Sequence, residues 1–257
     1  MDPVTVERYL ERIGVDRSAA ASPATLRALH RAHLLTVPFE NLSIHLGEAI
    51  TLDQDALVDK LITRRRGGFC YELNGAFASL LGALGFDVSL LAARPFVDDH
   101  VGPPFDHLVL RVDTPEAWLV DVGFGAHSLY PLRLDLRGPQ VDPGGTFTVA
   151  DSNLGDVEVA RDGTPQYRIE MRRRALVDFE PMCWWHQTSP RSHFTRSLTC
   201  SLATTSGRVT LSDRRLIRTV HGERSEVVLG TDAEVLAAYR EYFGIVLGDV
   251  PRLRTTN

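Results

Sequence analysis

Apolar residues recur at helical spacing through the first third of the chain. Ser22-Pro23 predicts the start of one helix, because serine caps a helix and proline suits its first position. Pro38 ends this helix, since the residue before a proline avoids the α region. A second helix is predicted over residues 54–62, and a third runs from about Cys70 to Gly85. The apolar positions of the third helix are Phe69, Leu73, Phe77, Leu80, Leu81 and Leu84.

Beyond Gly85 the pattern changes to short apolar and β-branched runs separated by turn residues. These runs cover residues 88–92, 107–112, 118–122, 146–149 and 167–171. They predict a small antiparallel sheet or barrel. A hairpin is predicted over residues 199–211. A last helix begins near Thr231, because Thr231 and Glu234 have the spacing of a capping box.

The order of these elements predicts an α+β fold in three parts. Residues 1–85 are expected to form an N-terminal helical domain. Residues 86–185 are expected to form a central antiparallel β-barrel, and residues 186–257 a C-terminal α/β domain.

Composition and charge then exclude several classes of protein. The 257 residues are 44% hydrophobic and 24% charged, which is typical of a globular protein. No apolar run is long enough to cross a membrane, and the first residues lack the pattern of a signal peptide, so a cytoplasmic location is expected. A net charge of −5 gives no basis for binding nucleic acid. Cys70, Cys183 and Cys200 have neither disulfide nor zinc-site spacing, and no metal is expected.

Cys70 is the first candidate for chemistry, in the segment Arg66-Gly67-Gly68-Phe69-Cys70-Tyr71-Glu72. It lies in the first turn of a predicted helix, where free backbone N–H groups and the helix dipole favour a thiolate. We therefore expect a lowered thiol pKa and a reactive sulfur. A small buried cysteine that only fills space is the alternative interpretation.

A nucleophilic cysteine needs a base and a group that orients the base. The strands 107–112 and 118–122 predict a hairpin. If Val112 lies opposite Trp118, His107 and Asp121 share one face of the sheet, about 7–8 Å apart at the backbone. A slip of one residue would separate them. Each of the two residues also has a simpler interpretation. His107 would be a histidine whose hydrogen bonds are satisfied, and Asp121 an aspartate that forms a turn.

Five stretches of the sequence, in order along nearly the whole chain, resemble the arylamine N-acetyltransferases. They are Pro38-Phe39-Glu40-Asn41-Leu42; Arg66 to Asn74; His107-Leu108; Leu119-Val120-Asp121-Val122-Gly123-Phe124-Gly125; and Thr188-Ser189-Pro190 with Phe194. The resemblance implies a cysteine-protease-like Cys-His-Asp core and a C-terminal domain that acts as a lid.

The resemblance also implies roles for individual residues. Cys70 is the acetylated nucleophile, His107 the base and Asp121 its orienting partner. Three polar residues brace the site from behind: Glu40, Asn41 and Arg66. Three aromatic residues, placed beside the triad by the motifs, are candidates for the substrate pocket: Phe39, Phe69 and Phe124.

The resemblance implies substrates as well. Acetyl-CoA is the acyl donor, and arylamines, hydrazines and arylhydroxylamines are the acceptors in a ping-pong reaction. A glycine-rich turn after the strand that carries Asp121 is a candidate for contact with the CoA pyrophosphate, through Gly123, Gly125 and Ala126. The family often has a further glycine where Ala126 stands, and a plain strand-exit turn is the alternative. A monomer or homodimer is expected.

Three other functions remain open at this stage. The nearest keeps the triad but releases a polyketide chain from a carrier thioester, as an amide synthase does. A more distant one is a papain-like or transglutaminase-like cysteine hydrolase. The last is a binding module without catalysis, in which Cys70 would be no more reactive than the other two cysteines.

Overall fold

The computed structural model describes residues 1–17, 20–98, 100–152 and 155–253. Helices come first along the chain and return near its end. They are α1 (Pro3–Ile13), α2 (Pro23–Thr36), α3 (Leu42–Leu46), α4 (Gln54–Val58), α5 (Cys70–Ala83), α6 (Glu180–Thr188), α7 (His193–Arg196) and α8 (Asp232–Phe243). A π-helical turn at Asp59–Thr63 continues α4, and a 3-10 turn at Leu176–Phe179 precedes α6.

The strands form two antiparallel sheets. They are β1 (Phe39–Glu40), β2 (Asp87–Val97), β3 (His100–Val101), β4 (His107–Asp113), β5 (Ala117–Val120), β6 (Leu132–Arg133), β7 (Gln140–Asp142), β8 (Gly145–Asp151), β9 (Val157–Arg161), β10 (Thr164–Arg174), β11 (Thr199–Thr204), β12 (Gly207–Ser212), β13 (Arg215–Val220) and β14 (Glu223–Val228). The central sheet has the order β6-β5-β4-β2-β10-β9-β8-β7, with β3 beside β2, and the C-terminal sheet has the order β1-β11-β12-β13-β14.

The predicted helix starts are confirmed by their caps. The Ser22 hydroxyl accepts the Thr25 N–H (3.2 Å) at the start of α2. At the start of α8, Thr231 and Glu234 cap each other's backbone N–H groups at 3.2 and 2.8 Å. Helix α6 was not predicted, because Met182-Cys183-Trp184-Trp185 is a continuous apolar run without helical spacing.

The central sheet is nearly closed into a barrel. Its edge strands β6 and β7 are bridged by one side chain, since Gln140 accepts the Arg133 N–H (2.7 Å) and donates to the Arg133 carbonyl oxygen (2.9 Å). Inward-facing side chains such as Val109, Phe147 and Tyr167 fill the interior. The predicted α+β class, with a central antiparallel barrel, is confirmed.

The predicted register of the hairpin that carries His107 is also confirmed. Val112 pairs with Trp118 and Leu110 with Val120 across β4 and β5. The strand β5 ends at Val120, so Asp121 stands at its exit.

The short strand β1 connects the helical part of the chain to the C-terminal sheet. Phe39 pairs with Ser201 and Glu40 with Cys200, and Phe39 also bridges to Gly68, two residues before Cys70. The backbone that leads into α5 is therefore attached to the C-terminal sheet. The division at residues 85 and 185 stays a prediction, and α6 runs across the second of these positions. No helix in the described ranges is long and apolar enough to cross a membrane.

Candidate active site

Cys70 is the first residue of α5, as predicted, but it is buried and only 3% exposed. Burial raises the pKa of the Cys70 thiol well above its ordinary value, while a hydrogen bond from the Leu108 backbone N–H lowers it. The net direction is opposite to the lowering expected from the helix start, because desolvation disfavours the charged form more strongly. The resting group is therefore a thiol that needs a base.

His107 lies next to Leu108 at the start of β4, and its ring is hydrogen-bonded to Asp121. The distance from His107 Nε2 to Asp121 Oδ2 is 2.8 Å, and both side chains are buried. Because an ionised carboxylate only accepts hydrogen bonds, Nε2 carries the proton and Nδ1 is the basic nitrogen. The pairing predicted from the hairpin register is present.

The Asp121 carboxylate accepts hydrogen bonds on both oxygens. Oδ1 accepts from Asn74 Nδ2 (3.0 Å) and from the Gly123 N–H (2.9 Å), and Oδ2 accepts from His107. Burial alone raises the pKa of Asp121, but the charge and the hydrogen bond of His107 lower it more, so the net pKa lies well below its usual range. Asp121 is therefore ionised at neutral pH.

Asn74 connects the three parts of this site, although no role was predicted for it beyond its place in a motif. It is fully buried and lies one helical turn beyond Cys70. Its Nδ2 donates to the Leu108 carbonyl oxygen (2.7 Å) and to Asp121, and its Oδ1 accepts the Val122 N–H (3.0 Å). The i, i+4 spacing from Cys70 is a signal that could have identified it, since residues four apart share a helix face.

Gly123 and His30 hold the segment that carries Asp121. A Cβ atom at Gly123 would lie 2.7 Å from Cys70 Cα, so only glycine allows the segment to pack against α5. His30, buried on α2, donates from Nδ1 to the Leu129 carbonyl oxygen (3.1 Å), and its Nε2 accepts the Asp121 N–H (3.4 Å). Spacing along the sequence carried no signal for His30.

Glu40 and Arg66 form a buried ion pair behind the site. The distance from Arg66 Nε to Glu40 Oε1 is 3.0 Å, and Glu40 Oε2 accepts the Leu42 N–H at 2.6 Å. Arg66 also contacts Glu48 at 3.3 Å. The guanidinium is compensated by two carboxylates, which keeps the charges from being buried alone. The pair fixes β1 against the segment that leads into Cys70.

Asn41 holds the segment between α7 and β11. Its Nδ2 donates to the carbonyl oxygens of Phe194 (2.9 Å) and Ser197 (2.6 Å), and its Oδ1 accepts the Thr199 N–H (2.9 Å). The position of Phe194 is thereby fixed from α3.

The three predicted pocket aromatics differ in exposure. Phe39 and Phe124 are half-buried, and the Phe124 ring lies 5.1 Å from that of His107. Phe69 is fully buried and its ring lies 5.4 Å from that of Phe194, which in turn lies 6.2 Å from Phe39. Phe194, quoted only as part of a motif, therefore belongs to the same aromatic cluster.

The residues of the glycine-rich turn contact different parts of the molecule. Gly123 faces Cys70, as described above, and Gly125 has a φ of 89° and packs beside the Phe39 ring. Ala126 is exposed at the rim of a cleft, and its carbonyl oxygen accepts a hydrogen bond from Arg161 (3.1 Å). Contact between this turn and CoA stays a prediction. Within the described ranges, no group of three or more metal-ligating side chains is placed to hold a metal ion.

The fold and the site together define a class. A cysteine at a helix start, a histidine on a neighbouring strand and a carboxylate bonded to that histidine are the arrangement of cysteine-dependent acyl-transfer enzymes.

Comparison with known proteins narrows the class. A sequence model described as N-acetyltransferase matches residues 23–251. The arylamine N-acetyltransferase of Mycolicibacterium smegmatis is 37% identical over 254 residues, which cover 94% of this chain and 92% of the relative. The chain belongs to the arylamine N-acetyltransferase family.

Solved structures agree with this assignment. The arylamine N-acetyltransferase of Salmonella typhimurium has a TM-score of 0.89 at 29% identity, covering 99% of this chain and 96% of the other. The enzyme of Mycobacterium marinum, solved in complex with CoA, has a TM-score of 0.85 at 31% identity, covering 93% and 92%.

Proposed function

We propose that this protein transfers the acetyl group of acetyl-CoA to arylamines, hydrazines and arylhydroxylamines through an acetyl-cysteine thioester. The observation that carries the proposal is the buried thiol of Cys70 beside a His107–Asp121 pair, with Asn74 joined to both sides. Membership of the family supports the choice of donor and acceptor.

In the first half-reaction, His107 takes the Cys70 proton and the sulfur attacks the acetyl carbonyl carbon. The bond between that carbon and the CoA sulfur breaks, and His107 returns the proton to the departing CoA. Asp121 stabilises the positive charge that His107 carries in between.

In the second half-reaction, the acceptor nitrogen attacks the acetyl carbon of acetyl-Cys70. His107 removes a proton from that nitrogen and delivers it to the Cys70 sulfur as the thioester bond breaks. Both half-reactions use one base and one nucleophile, so ping-pong kinetics are expected.

The surrounding residues fit supporting roles in this scheme. The acceptor ring is bounded by Phe39 and Phe124, with Phe69 below them as a buried support. Glu40, Asn41 and Arg66 keep these aromatic residues and the start of α5 in place. Backbone groups of Gly123, Gly125 and Ala126 stand on the side from which CoA approaches.

The organisation of the molecule belongs to the same proposal. We propose a helical domain over residues 1–85, a barrel over residues 86–185 and a C-terminal lid over residues 186–257. The protein acts in the cytoplasm as a monomer or homodimer, without a membrane or nucleic acid partner and without a metal.

The test is a comparison of substrates at equal enzyme concentration. With acetyl-CoA and a simple aniline or hydrazine, we expect acetylated amine and free CoA in equal amounts, with parallel lines in double-reciprocal plots. An amide synthase would prefer a carrier-protein thioester, and a cysteine hydrolase would cleave peptides and ignore CoA. If C70A acetylates the amine as fast as the wild type, catalysis through Cys70 is excluded.

A further inference from the structure

A cleft of about 580 Å³ opens between the barrel and the C-terminal sheet. Its barrel side includes Ala126, His127 and Arg161. Its other side is formed by the turn between β11 and β12, together with Arg208. We name it the Arg161–Arg208 cleft, after the two charged residues that its walls contribute.

Neither arginine of this cleft is neutralised by the protein. Arg161 donates to the Ala126 carbonyl oxygen (3.1 Å) and Arg208 to the Ser201 hydroxyl (2.9 Å), both uncharged acceptors. Within the described part of the chain, neither arginine forms an ion pair with a carboxylate. Burial, followed by the charge of Arg161, lowers the pKa of Arg208 to about 10, so the Arg208 guanidinium is still cationic at neutral pH.

Two uncompensated guanidinium groups in a partly buried cleft repel each other, and an anion between them would remove that repulsion. The buried Arg66 has two carboxylates, whereas this pair has none. Guanidinium groups bind phosphate through paired N–H donors. The hydroxyls of Thr204, Thr205 and Ser206 in the same wall add further donors.

The cleft lies close to the reacting groups. The His127 ring, in its wall, is 5.4 Å from the Phe124 ring, and the Phe124 ring is 5.1 Å from that of His107. Two ring contacts therefore separate the cleft from the proposed base. A donor whose phosphates occupied the cleft would have its thioester arm directed towards Cys70.

We propose that Arg161 and Arg208 bind the phosphate groups of CoA and thereby make the enzyme selective for thioesters that carry a nucleotide. This inference rests on the proposed acetyl transfer. It adds that the enzyme selects its acyl donor by the phosphate groups, and it names the two residues that bind them.

The experiment compares acetyl-CoA with S-acetyl-pantetheine, which has the same thioester arm and no phosphate. For R161Q and for R208Q we expect KM for acetyl-CoA to rise roughly 10–100-fold, as for a lost charge-assisted hydrogen bond, with kcat retained. KM for S-acetyl-pantetheine should stay at the wild-type value. R215Q is the matched control, because Arg215 lies in the same sheet but pairs with Glu226.

A second readout does not depend on turnover. Desulfo-CoA, which carries the phosphates and the pantetheine arm but no thiol, should protect wild-type Cys70 from alkylation, and protection should weaken in R161Q and at high salt. Equal KM changes for both donors, or unchanged KM for acetyl-CoA in R161Q, would overturn the inference. Failure of the proposed function looks different, because the wild-type enzyme would then acetylate no amine with either donor.

Discussion

The triad and the Arg161–Arg208 cleft lie at the two ends of one turn, residues 121–127. The two regions differ in how their charged groups are compensated. In the triad the Asp121 carboxylate accepts three hydrogen bonds from groups of the protein itself. In the cleft Arg161 and Arg208 donate to neutral acceptors, and neither forms an ion pair with a carboxylate of the described residues. The protein thus holds the reacting groups of the triad in place through its own hydrogen bonds. In the proposed scheme, the charges of the cleft are compensated when the phosphates of the acyl donor bind.

This difference separates the expected effects of substitutions. A change in the triad should slow acetyl transfer from every donor, because it alters the reacting groups. A change in the cleft should affect only donors that carry phosphate.

The largest effect is expected for D121N. The amide cannot accept the His107 Nε2 proton in the same way, so the ring loses the tautomer that leaves Nδ1 basic. We expect kcat to fall roughly 10³–10⁴-fold, as for the equivalent change in other triads. Single-turnover acetylation with acetyl-CoA and with S-acetyl-pantetheine measures it, and both donors should lose activity equally.

D113N is the control for D121N, since Asp113 lies at the other end of the same hairpin. It should keep wild-type turnover. A D121N enzyme that keeps turnover within tenfold of wild type would contradict the role of Asp121.

A smaller effect is expected for N74D. The new carboxylate can still accept the Val122 N–H. It places a negative charge beside Asp121, and it lacks the N–H donor that Asn74 offers to Asp121. The pKa of Asp121 should rise. We expect acetyl-Cys70 formation to slow roughly 10–100-fold, the worth of one hydrogen bond to a charged group. Stopped-flow burst kinetics between pH 5 and 9 measure both the rate and its pH profile.

S79A is matched to N74D, because Ser79 is on the same helix and its hydroxyl donates to the Gly75 carbonyl oxygen. It should leave the pH profile unchanged. If N74D lowers Tm but keeps the wild-type pH profile, Asn74 supports the fold and does not position Asp121.

The smallest effect concerns His127, whose ring lies between the two regions. Burial lowers the pKa of His127 to about 4, whereas in the unfolded chain it is about 6.5. The folded state therefore binds fewer protons, and its stability falls as pH drops from about 6.5 to 4. In H127Q we expect the slope of the free energy of unfolding against pH to decrease by the equivalent of up to about one proton.

Urea unfolding at several pH values from 4 to 7.5 measures the slope for H127Q. H100Q, at an exposed position, should behave like the wild type. An H127Q slope equal to that of the wild type would show that His127 titrates normally in the folded state.

Much of the fold could be predicted because periodicity and capping residues are local signals. The starts of α2, α5 and α8 and the register of β4 with β5 follow from neighbours along the chain. The pairing of β1 with β11 joins residues 39–40 to residues 200–201, and no local pattern specifies it. Helix α6 was missed because its apolar residues form one continuous run, which has no helical spacing.

The site divides in the same way. His107 and Asp121 could be paired from the sequence, because both lie on one hairpin. His30 and Arg208 approach from distant segments, and their roles depend on partners that only the folded chain supplies. The pKa of Cys70 was predicted in the wrong direction, since a helix start is visible in the sequence and the depth of burial is not.

The most direct test of the triad is the mass of the intact protein after incubation with acetyl-CoA in the absence of an amine. We predict one added acetyl group, mapped to Cys70, which disappears when aniline is added. C70A should acquire none, although its Cys183 and Cys200 remain. An unmodified wild-type protein, or an acetyl group on Cys183 or Cys200, would contradict catalysis through a Cys70 thioester.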